Sequence, residues 1–120
     1  MIGSSRNVRV FAFTRPADMR LGFDGLYAHV RNELGANPLS GDIFLFIGKN
    51  RRRAKALLWD GTGLLMYYKR LEKGLFPPLF QQESLSVQMT LSELQLFFEG
   101  SIHVGRLKLS PEECTLNLIA

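Results

Sequence analysis

The chain has 120 residues, 46% hydrophobic and 22% charged, with a net charge of +4. That is the size and composition of one domain that buries a core without staples. A single cysteine, Cys114, excludes an internal disulfide framework and a cysteine-rich zinc site.

Residues 8–14, Val-Arg-Val-Phe-Ala-Phe-Thr, are rich in branched and aromatic side chains and predict a first strand, stopped by Pro16. Asp18 is the expected N-cap of a helix. Met19, Phe23, Leu26, Tyr27, Val30 and Leu34 then recur at spacings of three and four, one apolar stripe over about four turns. Gly35 suits the helix end, with Pro38 soon after. Gly22 and Gly25 inside this pattern each cost roughly 1 kcal/mol relative to alanine. Either another backbone packs closely there, or the helix begins near Asp24. Asp24 stands four residues after Arg20, the spacing of an exposed ion pair.

The unbroken run Ile43-Phe44-Leu45-Phe46-Ile47 predicts a central strand covered on both faces. Residues 48–50 turn the chain. Residues 53–59 and 64–70 predict the next two strands, joined by Asp60-Gly61-Thr62-Gly63, so these three strands form an antiparallel meander. Residues 71–80 contain Gly74, Pro77 and Pro78 and read as an irregular arm. Residues 85–89 alternate like an edge strand. Thr90 and Glu93 have the spacing of a capping box, with Leu91, Leu94, Phe97 and Phe98 as the buried face of a second helix ended by Gly100. Residues 103–120 read as a short strand or tail. The expected fold is α+β: an antiparallel meander of about four to six strands packed by two α-helices, in a single domain with its core at 8–102.

Charge is distributed unevenly. Residues 48–73 hold Lys49, Arg51, Arg52, Arg53, Lys55, Lys69, Arg70 and Lys73 against Asp60 and Glu72, a local +6, so the rest of the chain sums to −2. A local positive field on a sheet scaffold suits a polyanion, and nucleic acid is the commonest. Planar guanidinium groups fork onto phosphate oxygens. The first five of these cations occupy seven positions around a predicted hairpin tip, which favours nucleic acid over a merely solvated hairpin. Trp59, Tyr67 and Tyr68 interleave with the cations. Such aromatics can form stacking platforms, but alternation puts one of Tyr67 and Tyr68 inward, and sheet packing is the favoured reading.

No catalytic pattern is visible. The chain lacks a His-x-x-x-His pair, a phosphate loop and a Gly-x-Ser-x-Gly elbow. His29 and His103 stand apart, and Asp18, Asp24, Asp42 and Asp60 have simple structural uses. No catalytic residue, metal or cofactor is expected. No apolar stretch approaches the ~20 residues that span a bilayer, no membrane contact is expected, and the start of the chain does not read as a secretory signal. A lone cysteine fits a reducing compartment, so a cytoplasmic location is expected.

Several motifs together resemble one family. Asp18-Met19-Arg20 and Gly22-Phe23-Asp24-Gly25-Leu26 are followed by Pro38, Ser40-Gly41 and Phe44-x-Phe46. Then come Lys55, Trp59-Asp60-Gly61-x-Gly63 and Lys69-Arg70-Leu71-Glu72-x-Gly74-x-Phe76, with Leu94 and Glu99-Gly100 before Ile102. The series resembles the small accessory protein, TnpB type, of the bacterial IS-66 insertion sequences. The resemblance implies a non-enzymatic part in DNA transposition beside a separate transposase that carries the chemistry. Its implied partners are the DNA of the element's ends, through the eight basic residues of 48–73, and the transposase and other proteins of the element. The alternative is a subunit that binds the transposase without touching DNA. Arg20, Asp24, Phe76 and Phe80, with the C-terminal third at −3 over residues 74–120, are then the candidate contacts.

Overall fold

The computed structural model describes residues 8–80 and 83–99. Strands β1 (Val10–Phe13), β2 (Ile43–Ile47), β3 (Arg53–Trp59), β4 (Leu64–Arg70) and β5 (Ser86–Met89) form one sheet in the order β4-β3-β2-β1-β5. Helix α1 (Phe23–Glu33) connects β1 to β2, and α2 (Leu91–Glu99) follows β5. The class is α+β, but the sheet is mixed rather than wholly antiparallel. The β2-β3-β4 meander is antiparallel, whereas β1 runs parallel to β2, with Phe11 beside Phe44. The connections explain the difference. A tight turn reverses a strand, and a crossover containing a helix returns the chain in its original direction. β5 then closes the far edge antiparallel to β1.

Side-chain alternation sorts the core into two faces. Phe13, Phe44, Phe46 and Leu57 pack with Leu26 and Val30 of α1, and the Phe13 and Phe46 rings stack at 4.6 Å. The opposite face, including Val10, Ile43, Leu45, Ile47 and Leu58, packs with Leu94 and Phe97 of α2 and with Phe76 from the arm. Cover on both sides explains why all five residues of β2 are buried and why its sequence shows no alternation.

The helix ends are built differently from one another. α1 begins at Phe23 with Gly22 at the cap and no side-chain cap bond, so Asp18 is not its N-cap. The Asp18 carboxylate instead accepts the Arg20 amide at 2.9 Å and the Arg20 guanidinium at 2.8 Å. That closed local turn holds Arg20 to Asp18 rather than to Asp24. Gly25 meets the Leu21 side chain rather than another backbone, a Cβ there coming within 2.7 Å of it, and the helix start at Phe23 lies next to Asp24. Gly35 adopts φ +65° beyond the helix, a left-handed conformation that favours glycine. At α2 the reciprocal capping box forms: the Thr90 amide donates to Glu93 at 2.7 Å and the Glu93 amide to the Thr90 hydroxyl at 3.1 Å. Leu94 and Phe97 are buried and Phe98 packs at the margin, but Leu91 is exposed. Gly100, His103, Cys114 and the tail lie outside the described residues.

Candidate nucleic-acid interface

One corner of the sheet gathers seven of the eight basic side chains of residues 48–73. The β2–β3 turn reverses tightly, with the Arg51 amide donating to the Gly48 carbonyl and the Gly48 amide to the Arg53 carbonyl, both at 2.9 Å. Arg51 closes it at φ +60°. The arm returns along this tip: the Leu71 amide donates to the Arg52 carbonyl and the Phe76 amide to the Arg51 carbonyl, both at 2.7 Å. The end of β4 lies alongside, with Arg70 directly opposite Arg53 and Lys69 opposite Ala54. Lys49, Arg51, Arg52, Arg53, Lys69, Arg70 and Lys73 therefore share one end of the sheet with Glu72. Asp60 sits at the other end of the β3–β4 hairpin. There its carboxylate accepts the Thr62 and Gly63 amides, which hold it below the usual carboxylate range.

The eight basic residues have three different fates. Lys49, Arg52, Arg53 and Lys73 are exposed, and among the described residues the Arg53 guanidinium has no hydrogen-bond or ion-pair partner. Arg51, Lys69 and Arg70 are partly engaged. Arg51 donates to the Phe76 carbonyl at 3.2 Å, Lys69 to the Phe98 carbonyl, and Arg70 Nε to Glu72 at 2.8 Å. These contacts are to carbonyls or to an exposed carboxylate, so they leave the charges near the surface. Lys55 is different. It is 5% exposed, and its ammonium donates to the Met19 carbonyl at 2.8 Å and the Leu21 carbonyl at 2.7 Å. The same nitrogen lies 4.5 Å from the centre of the Tyr68 ring. Its position in the basic run suggested a phosphate contact, but its side chain points into the fold.

Lys55 also links two motifs that are distant in sequence. Met19 packs on Gly48, where a Cβ would come within 2.8 Å of it. The Ala17 amide donates to the Ile47 carbonyl at 2.9 Å. The Asp18-Met19-Arg20-Leu21 segment is thus pinned to the root of the basic hairpin by Lys55 from below and by Gly48 from the side. No sequence period reports such a contact. The one available signal was Leu57, two residues on and so on the same face of β3 as Lys55, which belongs to the buried cluster under α1.

The candidate partner contacts scatter. Phe76 is fully buried, stacked on Phe97 at 5.0 Å, so the arm is a cover for the core's edge and Phe76 has no face to offer a partner. Phe80 is half-buried against the same cluster. Arg20 and Asp24 are exposed. Tyr67 and Tyr68 are both exposed, at 58% and 51%, although alternation within a covered sheet would turn one of them inward. β4 is an edge strand, and neither ring belongs to the two core clusters. Among the described residues, no cluster of three or more His, Cys, Asp or Glu could hold a metal ion, and no helix is long and apolar enough to cross a membrane.

A small mixed-sheet domain with a basic corner on an open edge strand is the class of protein that these features define. The chain belongs to the IS66 Orf2-like protein family, whose model matches residues 8–107, and it is an accessory protein associated with insertion sequences. Uncharacterized protein y4jC of Sinorhizobium fredii (strain NBRC 101917 / NGR234) is 39% identical over 102 residues, covering 83% of this chain and 85% of that protein. Uncharacterized protein y4hO of the same strain is 41% identical over 76 residues, covering 63% and 66% of the two chains. No solved structure matches significantly.

Proposed function

We propose that this chain is a non-catalytic accessory protein of an IS66-type element that holds DNA by its phosphate backbone through Lys49, Arg52, Arg53, Lys69, Arg70 and Lys73. The observation that carries the reading is the pairing of Arg53 with Arg70 across β3 and β4. Like charges directly opposite one another destabilise a sheet. An anion lying between them turns that repulsion into attraction and uses the guanidinium forks. Arg51 adds to the field while its main chain and side chain brace the tip. The transposase and other proteins of the element are the expected source of strand chemistry, in the cytoplasm of the bacterial host.

Fluorescence anisotropy tests this with two labelled duplexes, one carrying the element's terminal inverted repeat and one scrambled, at several salt concentrations. Neutralising about five phosphates gives a slope of log K against log salt near −4 to −5. Replacing both Arg52 and Arg53 by alanine should reduce that slope by about 2. Absence of binding at low salt refutes DNA contact by the isolated protein. The reading as a transposase-bridging subunit without DNA contact would then stand on exposed Arg20 and Asp24, and capture by the transposase would test it.

A further inference from the structure

We infer that the outer face of Tyr68 is a nucleotide subsite: an unpaired base stacks on the ring while the Arg53 and Arg70 guanidiniums hold the adjoining phosphate. The inference rests on the DNA-binding reading above and specifies the form of nucleic acid preferred, one with unpaired bases over blunt duplex.

Register places the parts together. Tyr68 lies opposite Lys55 and Arg70 opposite Arg53, so the two pairs are neighbours on one face of the β3–β4 ribbon. A two-residue step along a strand, ~7 Å, separates Tyr68 from Arg70, a spacing that the base and phosphate of one nucleotide can match. Arg53, Tyr68, Arg70 and Glu72 line a single open cleft of about 340 Å³. The cleft combines an aromatic plane with two guanidiniums, the chemistry of a nucleotide rather than of an apolar peptide.

The ring is also held in place before any ligand arrives. The Lys55 ammonium, fixed by the Met19 and Leu21 carbonyls, supports one side of Tyr68, and the residue remains 51% exposed. A buried cation under a solvent-facing tyrosine at a sheet edge accounts for an aromatic that contributes little to either core. Glu72 bonds Arg70 through Nε and leaves the terminal guanidinium nitrogens without a partner among the described residues. That ion pair is itself exposed and so is easily opened by a phosphate. Face-on stacking requires a bare π-face. Bases inside a duplex cover one another's faces, whereas a single strand or an overhang presents them.

The test compares three labelled probes: a mixed-sequence single strand, a blunt duplex, and the same duplex with a single-stranded extension. The proteins are the full chain, Tyr68→Phe and Tyr68→Leu, each checked by circular dichroism to be fully folded at the assay temperature. Single strand and extension should bind more tightly than blunt duplex. Tyr68→Leu should lose about tenfold on the two probes with unpaired bases, the scale of one stacked base, and nothing on blunt duplex. Tyr68→Phe, which keeps the ring, should bind as the parent does. If Tyr68→Leu binds single strand as tightly as the parent while duplex binding persists, the subsite is overturned and the backbone-binding proposal survives. If no probe binds at low salt, both fail together.

Discussion

Replacing Lys55 by methionine separates a structural lysine from a phosphate-binding one. Methionine keeps the aliphatic stem but removes a charged donor from the Met19 and Leu21 carbonyls. A hydrogen bond involving a charged group contributes about 1.5–3 kcal/mol, and the ammonium over the Tyr68 ring adds about 0.5–2 kcal/mol. Relief of a buried charge offsets part of the loss. A net destabilisation of about 2–4 kcal/mol follows, or roughly 8–16 °C in Tm at ~4 °C per kcal/mol for a chain of this size. Circular dichroism melts measure the shift, and the anisotropy salt series provides the counter-assay. The salt slope should be unchanged, because the cation never faces solvent. A variant with the parent's Tm and a slope reduced by about one phosphate would refute this reasoning and return Lys55 to the DNA-facing set.

Phe76→Ala should cost about 3–5 kcal/mol, read as a lower urea midpoint, because the ring is fully buried against Phe97; a near-neutral result would show that the arm lifts off the core in solution. Thr90→Ala removes one half of the reciprocal cap on α2 and should cost about 1 kcal/mol in the same assay. Glu72→Gln should raise affinity for DNA a few-fold by releasing Arg70 and removing the acid from the cleft, and weaker binding would mean that Glu72 positions Arg70 for its ligand. Hydrogen bonds from Arg20, side chain first, hold the Asp18 carboxyl at about 2 instead of 3.8. The folded state therefore favours the charged carboxylate. Its contribution is complete above pH ~4 and is lost as pH falls through about 2. Melts over that acid range should show a flatter profile for Asp18→Asn than for the parent, and identical profiles would remove Asp18 from the balance.

Local patterns made the meander and the second helix legible. Residues 53–59 and 64–70 are β3 and β4 themselves, because two short apolar runs and the Asp60-Gly61-Thr62-Gly63 turn between them lie within a few residues of each other. The Thr90–Glu93 cap was readable for the same reason. The parallel pairing of β1 with β2 was not, since it depends on where a chain of some thirty intervening residues comes back to. Asp18 misleads in a similar way. A capping residue and an Asx turn use the same carboxylate, and only the glycine-bearing stretch after it decides where the helix starts. At the site, the sequence identified a basic cluster but could not distinguish cations that face solvent from one that faces carbonyls thirty-four and thirty-six residues away. Phe76 posed the mirror problem: beside two prolines it looks like an exposed arm, yet its burial comes from α2, which lies beyond it in the chain.

The tip of the basic hairpin is fastened by main-chain groups, Arg51 and Arg52 carbonyls receiving the Phe76 and Leu71 amides. A peptide group makes that bond whatever side chain it carries. The number of positive charges at this corner can therefore change by substitution at Arg52 without loosening the loop. Surface charge and fold stability are separately adjustable there, so the proposed hold on DNA can be retuned one residue at a time while the protein beneath stays the same.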